Sequence, residues 1–261
     1  MAVSVHPSSI IEPGAQLGDG VRIGPFCVIG ADVTLGAQVE VKSHAVVTGW
    51  TEVGEGCVIF PHATVGEIPQ DLKYAGERTR LIVGARNRIR ECATLHCGTA
   101  GGGGVTRVGD DNLFMAYSHV GHDVQVGNRI VLGNSSGIAG HCQIGDDVII
   151  GGLTGIHQYV RIGKGAIIGG MTPVVSDVIP YGLVAGPRGE LEGLNLVGLK
   201  RRGLERASIN ALRHAYQALA TGEGSFLDRA RKLAENPESA EVAEVVAFIL
   251  GESQRNFLTP K

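Results

Sequence analysis

An aliphatic side chain recurs at every sixth position over most of the chain up to Val174. The series runs from Val5 to Val65, resumes from Val83 to Leu95, and continues from Val108 to Val174, with Phe114 as its one aromatic member. A period of six fits neither an amphipathic helix nor a strand that alternates apolar and polar residues. It is the signature of a parallel β-helix, in which short strands are joined by tight turns.

The residues between these apolar positions fit the same architecture. Four positions after each apolar residue the side chain is nearly always small or β-branched, as at Ala45, Cys57 and Thr154. If three hexapeptides make one coil, residues 18 apart lie one above the other at the inter-strand spacing of ~4.8 Å. The sequence therefore predicts a mainly β fold, a parallel β-helix of hexapeptide repeats over residues 1–186, followed by a helical domain over residues 187–261.

Two segments interrupt the repeat. The first excursion, residues 67–82, carries Gln70, Asp71 and Lys73, whose side chains can hold hydroxyls and phosphates. Because binding groups concentrate on loops that leave a rigid scaffold, we interpret it as part of a site. The second excursion, residues 100–107, contains a glycine run with neither the lysine nor the following helix of a phosphate-binding loop. We expect it to be flexible and without a catalytic role.

After Gly186 the apolar period changes to that of helices. Three segments each place apolar residues on one helical face: Ile209, Leu212, Tyr216 and Leu219; then Leu227, Ala230 and Leu233; then Val242, Val245, Val246 and Ile249. A basic group, Lys200 to Arg202, precedes them. Arginine pairs bidentately with phosphate or carboxylate, so this group is either a binding element or a solvated surface.

Composition excludes several classes of function. The formal net charge is −3, which gives no electrostatic basis for binding nucleic acid. Cys27, Cys57 and Cys142 fall on the small fourth position and no CxxC pair occurs, which predicts reduced cysteines and a cytoplasmic protein. The N-terminus lacks the features of a secretion signal, and no apolar run is long enough for a bilayer. We therefore expect no stable membrane insertion.

Four histidines of the later coils come into register when the 18-residue period is applied: His119, His122, His141 and His157. The period places His122 under Gly140 and Asp123 under His141. A single histidine in a turn would be unremarkable, whereas a cluster on one edge of the coil indicates a site.

Three chemistries fit this cluster: a zinc site, structural capping of turns, and general-base catalysis. In the third, His122 takes a proton, the Asp123 carboxylate fixes its tautomer, and the Gly140 N–H donates to an oxyanion. Cys142 is expected to point inward, so no nucleophilic side chain is available. Direct acyl transfer from a thioester without a covalent intermediate is therefore preferred, with no metal ion and no cofactor.

Several motifs together resemble those of the UDP-N-acetylglucosamine 3-O-acyltransferases, which use acyl carrier protein thioesters in the first step of lipid A synthesis. They include IGPFCVIG at 23–30, GEIPQDLKYAGE at 66–77, RNRIRE at 86–91, SHVGHD at 118–123 and GLKRRG at 198–203. QDLKYAG together with the HxxHD pair is highly specific, whereas hexapeptide repeats alone would indicate only an acyltransferase or a relative. The resemblance covers essentially the whole chain.

The resemblance implies a left-handed β-helix, a homotrimer with sites between protomers, and UDP-N-acetylglucosamine and acyl carrier protein as partners. It implies His122, Asp123 and Gly140 as catalytic residues. Its substrate-binding residues correspond here to Gln70, Asp71, Lys73, His119, His141, His157, Gln158, Asn195, Arg201 and Arg202. Gly170 and Met171 look like the determinants of acyl length, and Gly170, taken as three coils beyond His122, would admit a chain of about fourteen carbons.

Other functions stay open from the sequence. The acceptor could be a 3-amino sugar analogue, and a hexapeptide-repeat metalloenzyme or a non-catalytic scaffold would share the repeat. A related N-acyltransferase acting on glucosamine would carry an extra domain before the repeat. That alternative is disfavoured because the repeat starts at Val5.

Overall fold

Residues 18 apart along the chain pair as neighbouring parallel strands, as the hexapeptide period predicted. Val5 pairs with Ile23 in the first coil, and Ile149 pairs with Ile167 in a late one. The computed structural model describes residues 2–260. Its architecture is the predicted left-handed parallel β-helix of hexapeptide repeats, followed by helices.

The strands form three flat faces. The first face comprises Ser4–Val5, Arg22–Ile23, Glu40–Val41, Val58–Ile59, Arg88–Ile89, Leu113–Phe114, Val131–Leu132, Ile149–Ile150, Ile167–Ile168, Gly182–Ala185 and Glu190–Leu194. The second comprises Ile10–Ile11, Val28–Ile29, Val46–Val47, Thr64–Glu67, Thr94–His96, His119–Val120, Gly137–Ile138 and Gly155–Ile156. The third comprises Gln16–Leu17, Thr34–Leu35, Trp50–Val53, Arg80–Val83, Val105–Val108, Gln125–Val126, Gln143–Ile144 and Arg161–Ile162.

The sixth-position side chains fill the interior of this prism. From Ile23 to Val174 they are buried, including Phe114, whereas Ile11 and Leu17 of the first coil are partly buried and Val5 is 38% exposed. The small fourth-position residues, such as Cys57 and Cys142, are also buried. Each coil therefore contacts only its neighbours, and the coil at the open end has the least protected core.

The turns between faces form three edges of the prism. We name the edge between the first and second faces the first edge, that between the second and third faces the second edge, and that between the third and first faces the third edge. Most turns contain one residue with a left-handed backbone, often not a glycine, as at Asp123, His141 and Tyr159 with φ between 60° and 64°. Those three residues are 18 apart, so their side chains stack on the second edge.

Both excursions leave the prism next to the second edge. The flanking strands Thr64–Glu67 and Arg80–Val83 limit the first excursion to residues 68–79. In the second, Ala100–Gly102 form one 3-10 turn, and the chain rejoins the third face at Val105. The loops are thus slightly displaced from their predicted bounds.

The C-terminal part begins with a hairpin. Strand Gly182–Ala185 pairs with Ile167–Ile168 and with the antiparallel strand Glu190–Leu194, so the predicted boundary at residue 186 falls in the hairpin turn. Four helices follow: α1 (Leu196–Arg201), α2 (Arg206–Ala220), α3 (Phe226–Glu235) and α4 (Ala240–Leu250). The predicted apolar faces are buried, with Tyr216 and Leu233 partly buried, except at Leu227, which is 40% exposed. Its neighbour Phe226 packs against the core instead.

Of the helices within residues 2–260, none combines the length and apolar character that crossing a membrane requires.

Candidate active site

His122 and Asp123 form a buried pair on the second edge. The His122 Nδ1 lies 2.8 Å from the Asp123 Oδ2, and both residues are less than 7% exposed. A carboxylate accepts the proton on Nδ1, which leaves Nε2 as the basic nitrogen. The pair therefore has the arrangement that the predicted roles of general base and orienting acid require.

The second excursion holds the Asp123 carboxylate in place. Thr99 donates its backbone N–H to Oδ1 at 2.8 Å and its hydroxyl to Oδ2 at 2.6 Å. A Cβ added to Gly102 would come within 2.4 Å of both carboxylate oxygens, so this loop closes directly over Asp123. This contact of the second excursion, which we expected to be flexible and without a catalytic role, was not predicted from the sequence. Because the loop lies outside the repeat, its path cannot be obtained from the 18-residue period.

Gly140 lies directly above His122. A Cβ added at residue 140 would come within 2.6 Å of the His122 Nε2. The Gly140 N–H donates to no acceptor among the described residues, although the residue is buried. A free, buried amide beside the basic nitrogen can donate to a developing oxyanion.

A pocket of about 310 Å³ opens in front of these groups. Its lining includes predicted site residues from three coils and from the first excursion: Gln70, His119, His122, Gly140 and Gln158. His96, at the end of strand Thr94–His96, also lines the pocket. It was not identified as a site residue from the sequence. A larger groove of about 670 Å³ lies on the third face against α4, away from the histidines.

His96 and His119 form a neutral wall of this pocket. Their rings meet edge to face with centroids 4.9 Å apart, and the His119 Nδ1 lies 2.8 Å from the Thr94 hydroxyl. Burial lowers the pKa of His96, and burial followed by the neighbouring imidazoles lowers the pKa of His119 to about 4. The His96 Nδ1 is buried without a hydrogen-bond partner among the described residues, so it is available to a ligand.

His141 extends the column above Asp123. Its ring stacks parallel on Tyr159 at 4.5 Å and meets the edge of His122 at 4.9 Å. Burial lowers its pKa, with the Asp123 carboxylate opposing that effect. The predicted stacking of Asp123 under His141 is therefore confirmed, and Tyr159 continues the column one coil further.

The first excursion folds back over this column in the same chain. Gln70 lines the pocket, and the Asp71 carboxylate accepts a hydrogen bond from the Lys73 backbone N–H at 3.0 Å. The charges of Asp71 and Lys73 both act on the pKa of His141. The structure thus brings the predicted excursion residues to the histidines.

His157 does not line this pocket. Arg255, near the C-terminus, places a guanidinium nitrogen 2.7 Å from the His157 Nδ1 and donates to the Gln158 carbonyl at 2.9 Å. Of the other three predicted histidines, His119 and His141 therefore lie close to His122, and His157 does not line the pocket with them. Arg255 was missed because it lies 98 residues from His157 and outside the repeat.

Asn195, Arg201 and Arg202 lie at another edge. The Asn195 amide donates to the Gly165 carbonyl and its oxygen caps the start of α1, while Arg202 reaches the Asp147 carbonyl. Gly165 and Asp147 belong to the third edge, so within one chain these residues do not meet His122. Their predicted substrate contacts require another protomer.

Gly170 and Met171 lie on the first edge. Gly170 sits over Gly152, and Met171 donates to the Gly152 carbonyl. The position of Gly170 three coils beyond His122 is therefore a wrong prediction, since 48 residues are not a whole number of coils. A role of these two residues in acyl length likewise requires a neighbouring protomer.

His122, Asp123 and His141 could together hold a metal ion, because their ligand atoms lie within 4.8 Å of one another. Binding a cation there would compete with the His122–Asp123 hydrogen bond, and both Asp123 oxygens already accept bonds from Thr99. The donor set fits a base and its partner at least as well as a metal centre.

The hexapeptide prism and its buried histidine–carboxylate pair indicate an acyltransferase of the hexapeptide-repeat class. A family model described as bacterial transferase hexapeptide (six repeats) matches residues 106–140, and one described as Udp N-acetylglucosamine O-acyltransferase, domain 2, matches residues 177–258.

Whole-chain comparisons narrow this class to one family. A protein of Caulobacter vibrioides named acyl-[acyl-carrier-protein]–UDP-N-acetylglucosamine O-acyltransferase is 54% identical over 99% of both chains. One of the same name from Paracoccus denitrificans is 61% identical over 78% of this chain and 77% of its own. A crystal structure of a UDP-N-acetylglucosamine acyltransferase is 42% identical, covers 99% of both chains and superposes with a TM-score of 0.95. The chain belongs to the acyl carrier protein-dependent UDP-N-acetylglucosamine O-acyltransferases, which confirms the resemblance.

Proposed function

We propose that the chain transfers a 3-hydroxyacyl group from acyl carrier protein to the 3-hydroxyl of UDP-N-acetylglucosamine, the first step of lipid A synthesis. The observation that carries the mechanism is the buried His122–Asp123 pair with the free Gly140 N–H directly above it. The family relationship supports the substrates, and the neutral histidine wall supports binding of an uncharged sugar.

The proton and electron movements follow from this geometry. The His122 Nε2 takes the proton of the acceptor hydroxyl while that oxygen attacks the thioester carbon, and the carbonyl electron pair moves onto oxygen. The Gly140 N–H donates to this oxyanion. Collapse breaks the carbon–sulfur bond, and the thiolate takes the proton from the His122 imidazolium, which Asp123 has stabilised. No covalent enzyme intermediate is needed, and Cys142 is buried with its Sγ toward the His157 carbonyl.

A homotrimer with sites shared between protomers accounts for the distribution of the predicted residues. His122 lies on the second edge, whereas Gly170 and Arg202 lie near the first and third edges. A three-fold arrangement can bring the second edge of one chain to another edge of its neighbour. A cytoplasmic location fits the five cysteines, all free.

The test is a mass-spectrometric assay of purified protein with UDP-N-acetylglucosamine, its 3-amino analogue and 3-hydroxyacyl carrier protein thioesters. We expect an ester product with the first acceptor. His122→Ala should lower kcat by about 10²–10⁴-fold with the affinity for the nucleotide sugar preserved. Transfer only to the 3-amino analogue would assign the alternative acceptor, and undiminished turnover by folded His122→Ala would refute the mechanism.

A further inference from the structure

Turn carbonyls along the second edge accept hydrogen bonds from the next coil. The His141 N–H donates to the His122 carbonyl at 3.0 Å, and the Tyr159 N–H donates to the Gly140 carbonyl at 3.2 Å. The next carbonyl in this position belongs to Gln158, which lines the pocket in front of His122. In an unbroken repeat, one further coil would supply its backbone donor.

That further coil is interrupted. The N–H in the corresponding position belongs to Asp177, and it donates to the Asn256 carbonyl at 2.7 Å instead. Within residues 2–260 no backbone N–H bonds to the Gln158 carbonyl, and the half-buried Arg255 donates its Nε to it at 2.9 Å. A side chain from near the C-terminus thus replaces the backbone donor of the missing coil.

Arg255 also fixes the neighbouring ring. Its Nη2 lies 2.7 Å from the His157 Nδ1. Because a guanidinium has donors only, this ring nitrogen accepts the hydrogen bond, and the proton of the imidazole lies on Nε2. The guanidinium therefore holds one turn through both the ring of His157 and the backbone of Gln158.

The segment that carries Arg255 is anchored without its side chain. We name residues 252–258 the C-terminal tail. The Leu258 N–H donates to the Asp177 carbonyl at 2.9 Å, and the Ser253 hydroxyl donates to the buried Asp177 carboxylate at 2.7 Å. Replacing the guanidinium should therefore leave the C-terminal tail in place, so the effect of the side chain can be separated from folding.

We propose that Arg255 is a positioning residue for the acceptor substrate, because it holds the His157–Gln158 turn with Gln158 at the pocket. This inference rests on the proposed function, since it concerns binding of the nucleotide sugar in that pocket. A polar side chain whose backbone is already fixed loses less conformational freedom when it binds a ligand. Arg255 bonds to neither His122 nor Asp123, so it should affect substrate binding rather than proton transfer.

The test compares Arg255→Gln and Arg255→Lys with wild type at a saturating concentration of a 3-hydroxyacyl carrier protein thioester. We expect Arg255→Gln to raise the KM for UDP-N-acetylglucosamine by about tenfold, as for loss of a hydrogen bond from a charged donor, with kcat within about twofold of wild type. Lysine keeps a charged donor, so Arg255→Lys should recover part of the loss. The matched control is Arg231→Gln, which removes an exposed arginine paired with Asp228 on α3 and should behave as wild type.

A double-mutant cycle with Gln158→Ala separates positioning from a general loss of stability. If Arg255 acts through Gln158, the second substitution should add little to the effect of the first, whereas independent effects on KM would multiply. Multiplied effects, an unchanged KM in Arg255→Gln, or equal losses in Arg255→Gln and Arg255→Lys with a lowered melting temperature would each overturn the inference. Wild type that transfers no acyl group would refute the proposed function and this inference together, whereas active wild type with any of those results would refute this inference alone.

Discussion

The backbone of Gly140 lies against the imidazole of His122, one coil above it. The His141 N–H donates to the His122 carbonyl at 3.0 Å, and a Cβ at residue 140 would come within 2.5 Å of the His122 Cε1. The coil thus requires glycine at the position where a free N–H faces the reacting groups. One residue fulfils both the steric and the proposed electrostatic requirement.

Gly140→Ala should therefore reduce turnover strongly. The added methyl group would displace the His122 ring, and we expect kcat to fall by about 10²-fold or more. The control is Gly101→Ala, whose Cβ would enter open space in the second excursion. Equal activities of the two variants, measured with a long-chain donor, would contradict this assignment.

Thr99 is expected to act as a positioning residue through Asp123. Thr99→Val removes a buried hydroxyl that donates to the Asp123 carboxylate. We expect kcat to fall by about tenfold, as for loss of a buried hydrogen bond to a charge, with the KM for the nucleotide sugar unchanged. Thr99→Ser should recover most of the loss. If serine and valine variants behave alike, the hydroxyl has no part in catalysis.

Acid should destabilise the protein partly through His119. Its pKa is about 4 in the folded chain because of burial, against 6.5 for an ordinary histidine. The unfolded chain therefore binds the proton first, and stability falls as pH falls from about 6.5 to about 4. The loss between pH 7 and pH 5 should be about 1–2 kcal/mol.

His119→Gln should make that loss smaller. The comparison is urea unfolding of wild type and His119→Gln at both pH values and one protein concentration. Parallel pH dependence of the two proteins would show that His119 gains no proton on unfolding.

Subunit mixing should distinguish residues of one chain from residues of two. Lys73 lies near His141 in the same chain, so mixed trimers of His122→Ala and Lys73→Ala should stay inactive. Arg201 is exposed beyond the third edge, so His122→Ala mixed with Arg201→Ala should regain part of the wild-type turnover. The measurement is the specific activity after verified subunit exchange. Activity in the first mixture would place Lys73 and His122 in sites built from two chains.

Chelation should leave turnover intact. The His122–Asp123 hydrogen bond and the Thr99 contacts use the atoms that a cation would need. We expect the same kcat after exhaustive dialysis against a chelator, with metal content measured in parallel. Stoichiometric zinc whose removal abolishes activity would identify the cluster as a metal centre.

The sequence by itself determined the coil and the column of reactive residues. In a solenoid each strand pairs with the strand one coil away, so a constant period fixes which backbones are stacked. The pairs His122 with Gly140 and Asp123 with His141 follow from that period. The same period also places Gly170 on the first edge. The predicted position of Gly170 three coils beyond His122 was wrong because the two residues are 48 apart, which is not a multiple of 18.

Only the tertiary structure decided the parts that lie outside the repeat. The contact of Thr99 with Asp123, the return of Gln70 to the pocket and the contact of Arg255 with His157 join segments with no common period. Their positions depend on loop paths and side-chain rotamers that long-range packing selects. A repeat fixes the stacking of backbones, whereas it leaves undetermined where an excursion returns and which way an exposed side chain turns.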